Sequence, residues 1–215
     1  MKKLCKINAF TLAEVLLTLV VVGVISVLTV PTLKNHADEA RYVAATQKAM
    51  SEIAAATSNA ELVYGEASNW NFKTSNVKEY YRKAMNTVPF PKGSKKSWAR
   101  MVLGGVNATF NPTFMTADGM AWEIHDGGYD CGGGVALVDV NGSAPPNTVG
   151  IDIQGFRIGH MCVASQKSGD FGIYAMGDGK NDANKEWACT AYIIKHKKMP
   201  WLYTPIDSCS TYVGK

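Results

Sequence analysis

The chain has 215 residues, 47% of them hydrophobic and 19% charged, with five Trp, nine Tyr and seven Phe; that content suits one ordered domain and excludes a disordered or collagen-like chain. The formal net charge of +4 is unevenly placed: Lys2, Lys3 and Lys6 fall within the first nine residues, and the remaining basic count nearly equals the 18 acidic residues. A broad basic surface for nucleic acid is therefore not expected.

The first predicted element is an uncharged run over residues 15–33. Roughly 20 apolar residues span about 30 Å of hydrocarbon, so the run predicts a transmembrane helix. A secretory signal peptide is the alternative, but the run exceeds the roughly 7–15 residues of an apolar signal core, and no A-x-A cleavage pattern follows soon after it. The three lysines ahead of the span predict a cytoplasmic N-terminus, with the C-terminal bulk across the membrane. Glu14 stands at the mouth of the run, where an unpaired charge in lipid costs about 3 kcal/mol. Pro31 lacks a backbone donor and predicts a bend or local loosening. Residues 34–62 carry Ala37, Ala40, Val43 or Ala44, Gln47, Met50 or Ser51, and Ala54 at three- or four-residue spacing, which predicts an amphipathic continuation of the same helix.

Polar, Gly-containing residues 64–76 end that helix, and Ser75 or Asn76 caps a short one reaching about residue 85. From Trp98 onward the apolar period shifts towards two. Residues 120–125, 135–140, 151–158 and 171–176 are strand candidates, separated by Asp-Gly, Asn-Gly and Gly-rich turns. Residues 187–198 fit either a strand or a helix, and Pro200 ends them in both cases. Strands gathered after a long helix give an α+β class.

Residues 6–19, Lys-Ile-Asn-Ala-Phe-Thr-Leu-Ala-Glu-Val-Leu-Leu-Thr-Leu, resemble the leader junction of type IV prepilins and of the pseudopilins of type II secretion systems. The resemblance implies cleavage between Ala9 and Phe10 by a dedicated membrane peptidase, which also N-methylates Phe10; Ala9 stands where the family usually has Gly. It implies a pilin-like fold, in which a long N-terminal helix packs on a small, mainly antiparallel β-sheet head. The expected layout is a leader over 1–9, a transmembrane and assembly helix over 10–33, its amphipathic continuation over 34–62 and a head over 63–215. Pro31 matches the position where many members carry a kinking proline. The implied partners are the prepilin peptidase/N-methyltransferase, other pilin-like subunits and an inner-membrane assembly platform. The chemistry of the junction agrees: cleavage exposes a cationic amine on Phe10, and the Glu14 carboxylate of a staggered neighbour can pair with it, offsetting the cost of burying either charge.

Residues 139–152, Asp-Val-Asn-Gly-Ser-Ala-Pro-Pro-Asn-Thr-Val-Gly-Ile-Asp, followed by Phe156, resemble a segment of pseudopilin-like heads. Asp139, Asn141 and Asp152 offer oxygen ligands for calcium, which takes six to eight; structural turn chemistry is the competing reading. The same two readings apply to Asp178, Asp182 and Asn184. With Cys5 in the leader, Cys131, Cys162, Cys189 and Cys209 remain, and an even count in an exported domain points to two disulfides with three possible connectivities; Cys131–Cys162 with Cys189–Cys209 is favoured, the latter as in many type IV pilins. Zinc on His160, Cys162, Cys131 and Cys189 is a rival without paired C-x-x-C spacing. His36, His125, His160 and His196 form no catalytic pattern, and no enzyme activity is expected. Lys92, Lys95, Lys96 and Arg100, with Phe90 and Trp98, are the one basic-aromatic patch, more readily a solvated loop than a DNA site. The leading expectation is a filament subunit; an anchored exported binding protein or enzyme, and a minor pilin for DNA binding or adhesion, are the alternatives.

Overall fold

The computed structural model describes residues 10–73, 76–90, 99–103, 106–126, 133–163, 166–177 and 188–203. Two compact units are distinguished, residues 1–38 and 39–215, and the division falls inside helix α1 (Leu12–Tyr64).

In the first unit the helix is apolar on every face, and its large side chains are exposed from Leu12 to Leu33. Among the described residues this is the one helix long and apolar enough to cross a membrane. Three of its hydroxyls are turned back on the backbone: Thr18 donates to the Val15 carbonyl at 2.9 Å, Ser26 to the Val22 carbonyl at 2.7 Å and Thr29 to the Ile25 carbonyl at 2.9 Å. No polar side-chain hydrogen among these three therefore needs water, as a lipid-facing helix requires. Helical structure continues on both sides of Pro31.

In the second unit α1 is amphipathic, but its buried face is not the predicted stripe: of those residues Val43 is buried and Met50 half-buried, whereas Ala40, Ala44 and Ala54 are exposed, because small alanines recur on both sides of this helix. Tyr42, Val43, Ala49, Ile53, Ala56 and Ala60 are buried, whereas Lys48, Ser51 and Ser58 are exposed. The helix ends where Gly65 adopts φ +80° and its N–H reaches the Glu61 carbonyl at 3.0 Å, a left-handed cap that glycine enters without steric cost. After a 3-10 turn at Ala67–Asn69, helix α2 (Asn76–Ala84) buries Val77 and Tyr81, four residues apart.

Among the described residues eight strands follow: β1 (Thr87–Val88), β2 (Ala99–Leu103), β3 (Val106–Phe110), β4 (Phe114–Thr116), β5 (Ala121–Asp126), β6 (Gly134–Asp139), β7 (Ile153–Val163) and β8 (Gln166–Ala175). Six pair in the order β1-β4-β5-β6-β7-β8, every pairing antiparallel, and β2 and β3 form a separate hairpin. The four strand candidates correspond to β5 to β8; β1 to β4 were not individually foreseen. The ambiguous segment is helix α3 (Ala188–His196), closed by Lys197 at φ +55° with its N–H on the Ile193 carbonyl at 2.8 Å.

The period of two decides which layer each strand residue enters. Trp122, Ile124, Ala136, Val138, Phe156 and Ile158 join α1, α2 and Ile193 of α3 in the main core. Ala121, Val135, Leu137 and Ile153 point the other way and pack with Phe110 and Met176, with Val149 at the margin. All six residues of β6 are consequently buried. The observed class is α+β with an antiparallel sheet.

Candidate functional site

The start of α1 is built by its own side chains. Thr11 is the last residue before the helix, and its hydroxyl accepts the Glu14 N–H at 3.3 Å. In return Glu14 Oε2 accepts the Thr11 N–H at 2.8 Å and the Thr11 hydroxyl at 2.9 Å. This reciprocal arrangement satisfies two of the four N–H groups that a helix start leaves open, and it places a carboxylate at the positive end of the helix dipole. The Thr-x-x-Glu pattern before an apolar run is a readable signal for it, one passed over when Glu14 is considered only as a charge seeking a partner. Phe10, the expected new terminus, precedes the helix and is 84% exposed. Ala9 lies outside the described residues.

Asp139, Asn141 and Asp152 do come together, in the loop between β6 and β7. Asp152 is fully buried and spends both oxygens on backbone donors: Oδ2 accepts Asn147 N–H at 2.8 Å and Oδ1 accepts Thr148 N–H at 2.6 Å. Burial nevertheless pushes its carboxyl above the ordinary value, against these hydrogen bonds and one from the Asn141 side chain. Asp139, also fully buried, accepts the Asn141 N–H at 3.2 Å on Oδ1, and the Asn141 amide donates to the Pro145 carbonyl at 3.3 Å. Asn147 sits at φ +51°, after the cis Pro145–Pro146 bond; short Asn side chains tolerate this left-handed region. In this arrangement the carboxylates serve as acceptors that fold the loop. Among the described residues no group of three or more His, Cys, Asp or Glu gathers as a metal site.

Residues 178–184, Cys131, Cys209, Lys92, Lys95, Lys96 and Trp98 lie outside the described residues. Cys162 is in β7, and Arg100 in β2. Cys189, buried in the first turn of α3, is disulfide-bonded, with its partner outside the described side chains. Beside it, Thr190 donates to Gln154 Oε1 at 2.9 Å and accepts the Gly155 N–H at 3.0 Å, which ties α3 to β7. The histidines are spread over α1, β5, β7 and α3; His160 Nδ1 lies 3.1 Å from the Gly169 carbonyl, and His196 packs on Tyr192.

Two long-range contacts of α1 could not be read from sequence. Glu39 accepts the Met199 N–H at 2.7 Å and the Tyr203 hydroxyl at 2.6 Å. Tyr203 is pushed up to about 12 by desolvation and by the Glu39 carboxylate. Lys48 Nζ lies 2.6 Å from Asp118 Oδ2, in the turn between β4 and β5. Compared with protein-family models, with curated proteins and with solved structures, the chain matches none of them.

Proposed function

We propose that this chain is a structural subunit of a type IV pilus or a type II secretion pseudopilus. In this reading it is inserted in the inner membrane with its N-terminus cytoplasmic, cleaved between Ala9 and Phe10, methylated on Phe10 and polymerised through α1. The observation that carries the reading is the N-terminal part of α1: a helix apolar on all faces, begun by the Thr11–Glu14 box immediately after the prepilin-like junction.

Such a helix has no stable place in water, so its side chains must be covered by lipid or by other helices. Membrane anchor and filament core are then two environments for one surface. The box gives the Glu14 carboxylate donors within its own chain before assembly, which lowers the cost of carrying it to the membrane. On assembly its other oxygen can take the amine of a neighbouring Phe10, a charge-assisted contact that sets the axial register. The disulfide at Cys189 suits a head delivered to an oxidising compartment.

The test is the mass of the N-terminal peptide from protein isolated from the membranes of its own host. The expected peptide begins at N-methylated Phe10. A chain that begins at Met1, or beyond the apolar run, overturns the proposal.

A further inference from the structure

Glu52 lies one turn after Lys48 on α1, Lys48 reaches Asp118 in the β4–β5 turn, and Asp118 is one of the charges that act on Glu52. The donors available there are unequally divided. Asp118 receives the Lys48 ammonium at 2.6 Å, the Thr116 hydroxyl and the Met120 N–H at 3.4 Å. Glu52 is half-buried, and its Oε2 is shut off from solvent with no hydrogen-bond donor. Asp118, supplied with three donors, and Glu52, with a dry oxygen one turn from the same lysine, cannot ionise with equal ease.

We propose that Glu52 and Asp118 are an unequal pair of carboxyl groups, Glu52 the more readily protonated, and that together they form a proton-responsive clasp between α1 and the β4–β5 turn. A protonated Glu52 presents an O–H towards Asp118 and adds a bond to the one from Lys48. An ionised Glu52 sets a second negative charge against Asp118 and leaves a charged oxygen dry. The charged groups that act on Glu52 are Asp118, from the turn, and Lys48, from its own helix. Both burial and Asp118 push the Glu52 carboxyl above its ordinary value. Burial also opposes ionisation of Asp118, but the bonds from Lys48 and Thr116 hold that group below its own.

The sign of the effect follows. A carboxyl raised in the folded state takes up a proton on folding, so its contribution to stability grows as pH falls through the folded midpoint and levels off below the unfolded value of 4.5. The clasp thus tightens in a mildly acidic medium.

The full chain in neutral detergent micelles, labelled with carboxyl-13C glutamate, is titrated by NMR, and the Glu52 resonance is identified by its loss in Glu52→Gln. The expected result is a Glu52 midpoint above 4.5 that drops towards the ordinary value in Asp118→Asn and rises in Lys48→Met. Melting of wild type and Glu52→Gln is compared between about pH 7 and about pH 4, a range that ends below the unfolded value; the wild type gains on the variant as pH falls, a difference in which histidine titrations cancel. A midpoint at or below 4.5, a midpoint unmoved by both neighbouring substitutions, or a constant difference in melting temperature overturns the proposal. Lys48→Met keeps the test decisive should Asp118→Asn fail to fold.

Discussion

Asp152→Ala tests whether the loop between β6 and β7 is folded by a carboxylate acting as acceptor. The substitution removes the acceptor of the Asn147 N–H at 2.8 Å and of the Thr148 N–H at 2.6 Å. A buried donor left without an acceptor costs about 1–3 kcal/mol. Thr148 is exposed and Asn147 half-buried, so water recovers part of this, and the expected loss is about 2–4 kcal/mol for the two bonds together. Asp152→Asn keeps one acceptor oxygen and turns an N–H₂ towards the other donor, so it should lose at least half as much. Urea unfolding of the full chain in detergent, followed by tryptophan fluorescence, gives the total. Trp201 supplies a local reading, because its indole N–H bonds the Gly150 carbonyl in this loop at 2.9 Å. A loss below about 1 kcal/mol in Asp152→Ala, or one that appears only when calcium is added, would refute the reasoning and return Asp152 to the role of a cation ligand.

Thr11→Ala removes a cap worth about 0.5–2 kcal/mol; amide exchange at Leu12 to Val15 in micelles should accelerate several-fold, and unchanged rates would deny the box any energetic role. Tyr81→Phe removes a buried hydroxyl 2.8 Å from Thr57 Oγ1, whose bond to the Ile53 carbonyl remains; a loss of about 0.5–1.5 kcal/mol is expected by urea unfolding, and a loss above about 3 kcal/mol would show that the hydroxyl supports more than this bond. The Tyr203 phenol, pushed up to about 12, should ionise later than a tyrosine without a carboxylate partner in an alkaline titration of tyrosinate absorbance. Because the folded state holds that proton more tightly, the stability from Tyr203 is intact below the ordinary value of 10.0 and is lost as pH rises towards 12. The delay should vanish in Glu39→Gln if the carboxylate causes it, and its persistence would assign it to burial alone.

Much of the architecture was legible because it rests on local pattern. The uncharged run and the Gly65 stop are sequence features of α1, and turn residues bracket β5 to β8; the small-residue period after the run foretold helix but not its buried face, since Ala40, Ala44 and Ala54 are exposed. Short pieces escaped: β1 has two residues and β4 three, too few to display a period. Residues 188–196 stayed ambiguous because Ala, Cys, Thr, Tyr and Ile suit either state, and packing of Ile193 into the main core decides for helix. Of the candidate sites, Asp139, Asn141 and Asp152 were recognised as one loop, but not the direction in which their bonds run, which depends on Asn147 and Pro146. Glu39 meets Met199 across 160 residues, and no local signal encodes a contact of that span.

The burial of every residue in β6 bears on how this chain can diverge. A strand covered on both faces has no position at which a polar substitution reaches solvent, so drift along Gly134–Asp139 is confined to exchanges among side chains of similar volume. Gly134 is tighter still, since a Cβ there would strike the Phe72 ring. Novelty in the head must therefore accumulate elsewhere, in the exposed turns and on the outer strands β1 and β8, while this central strand remains the fixed reference against which those changes are made.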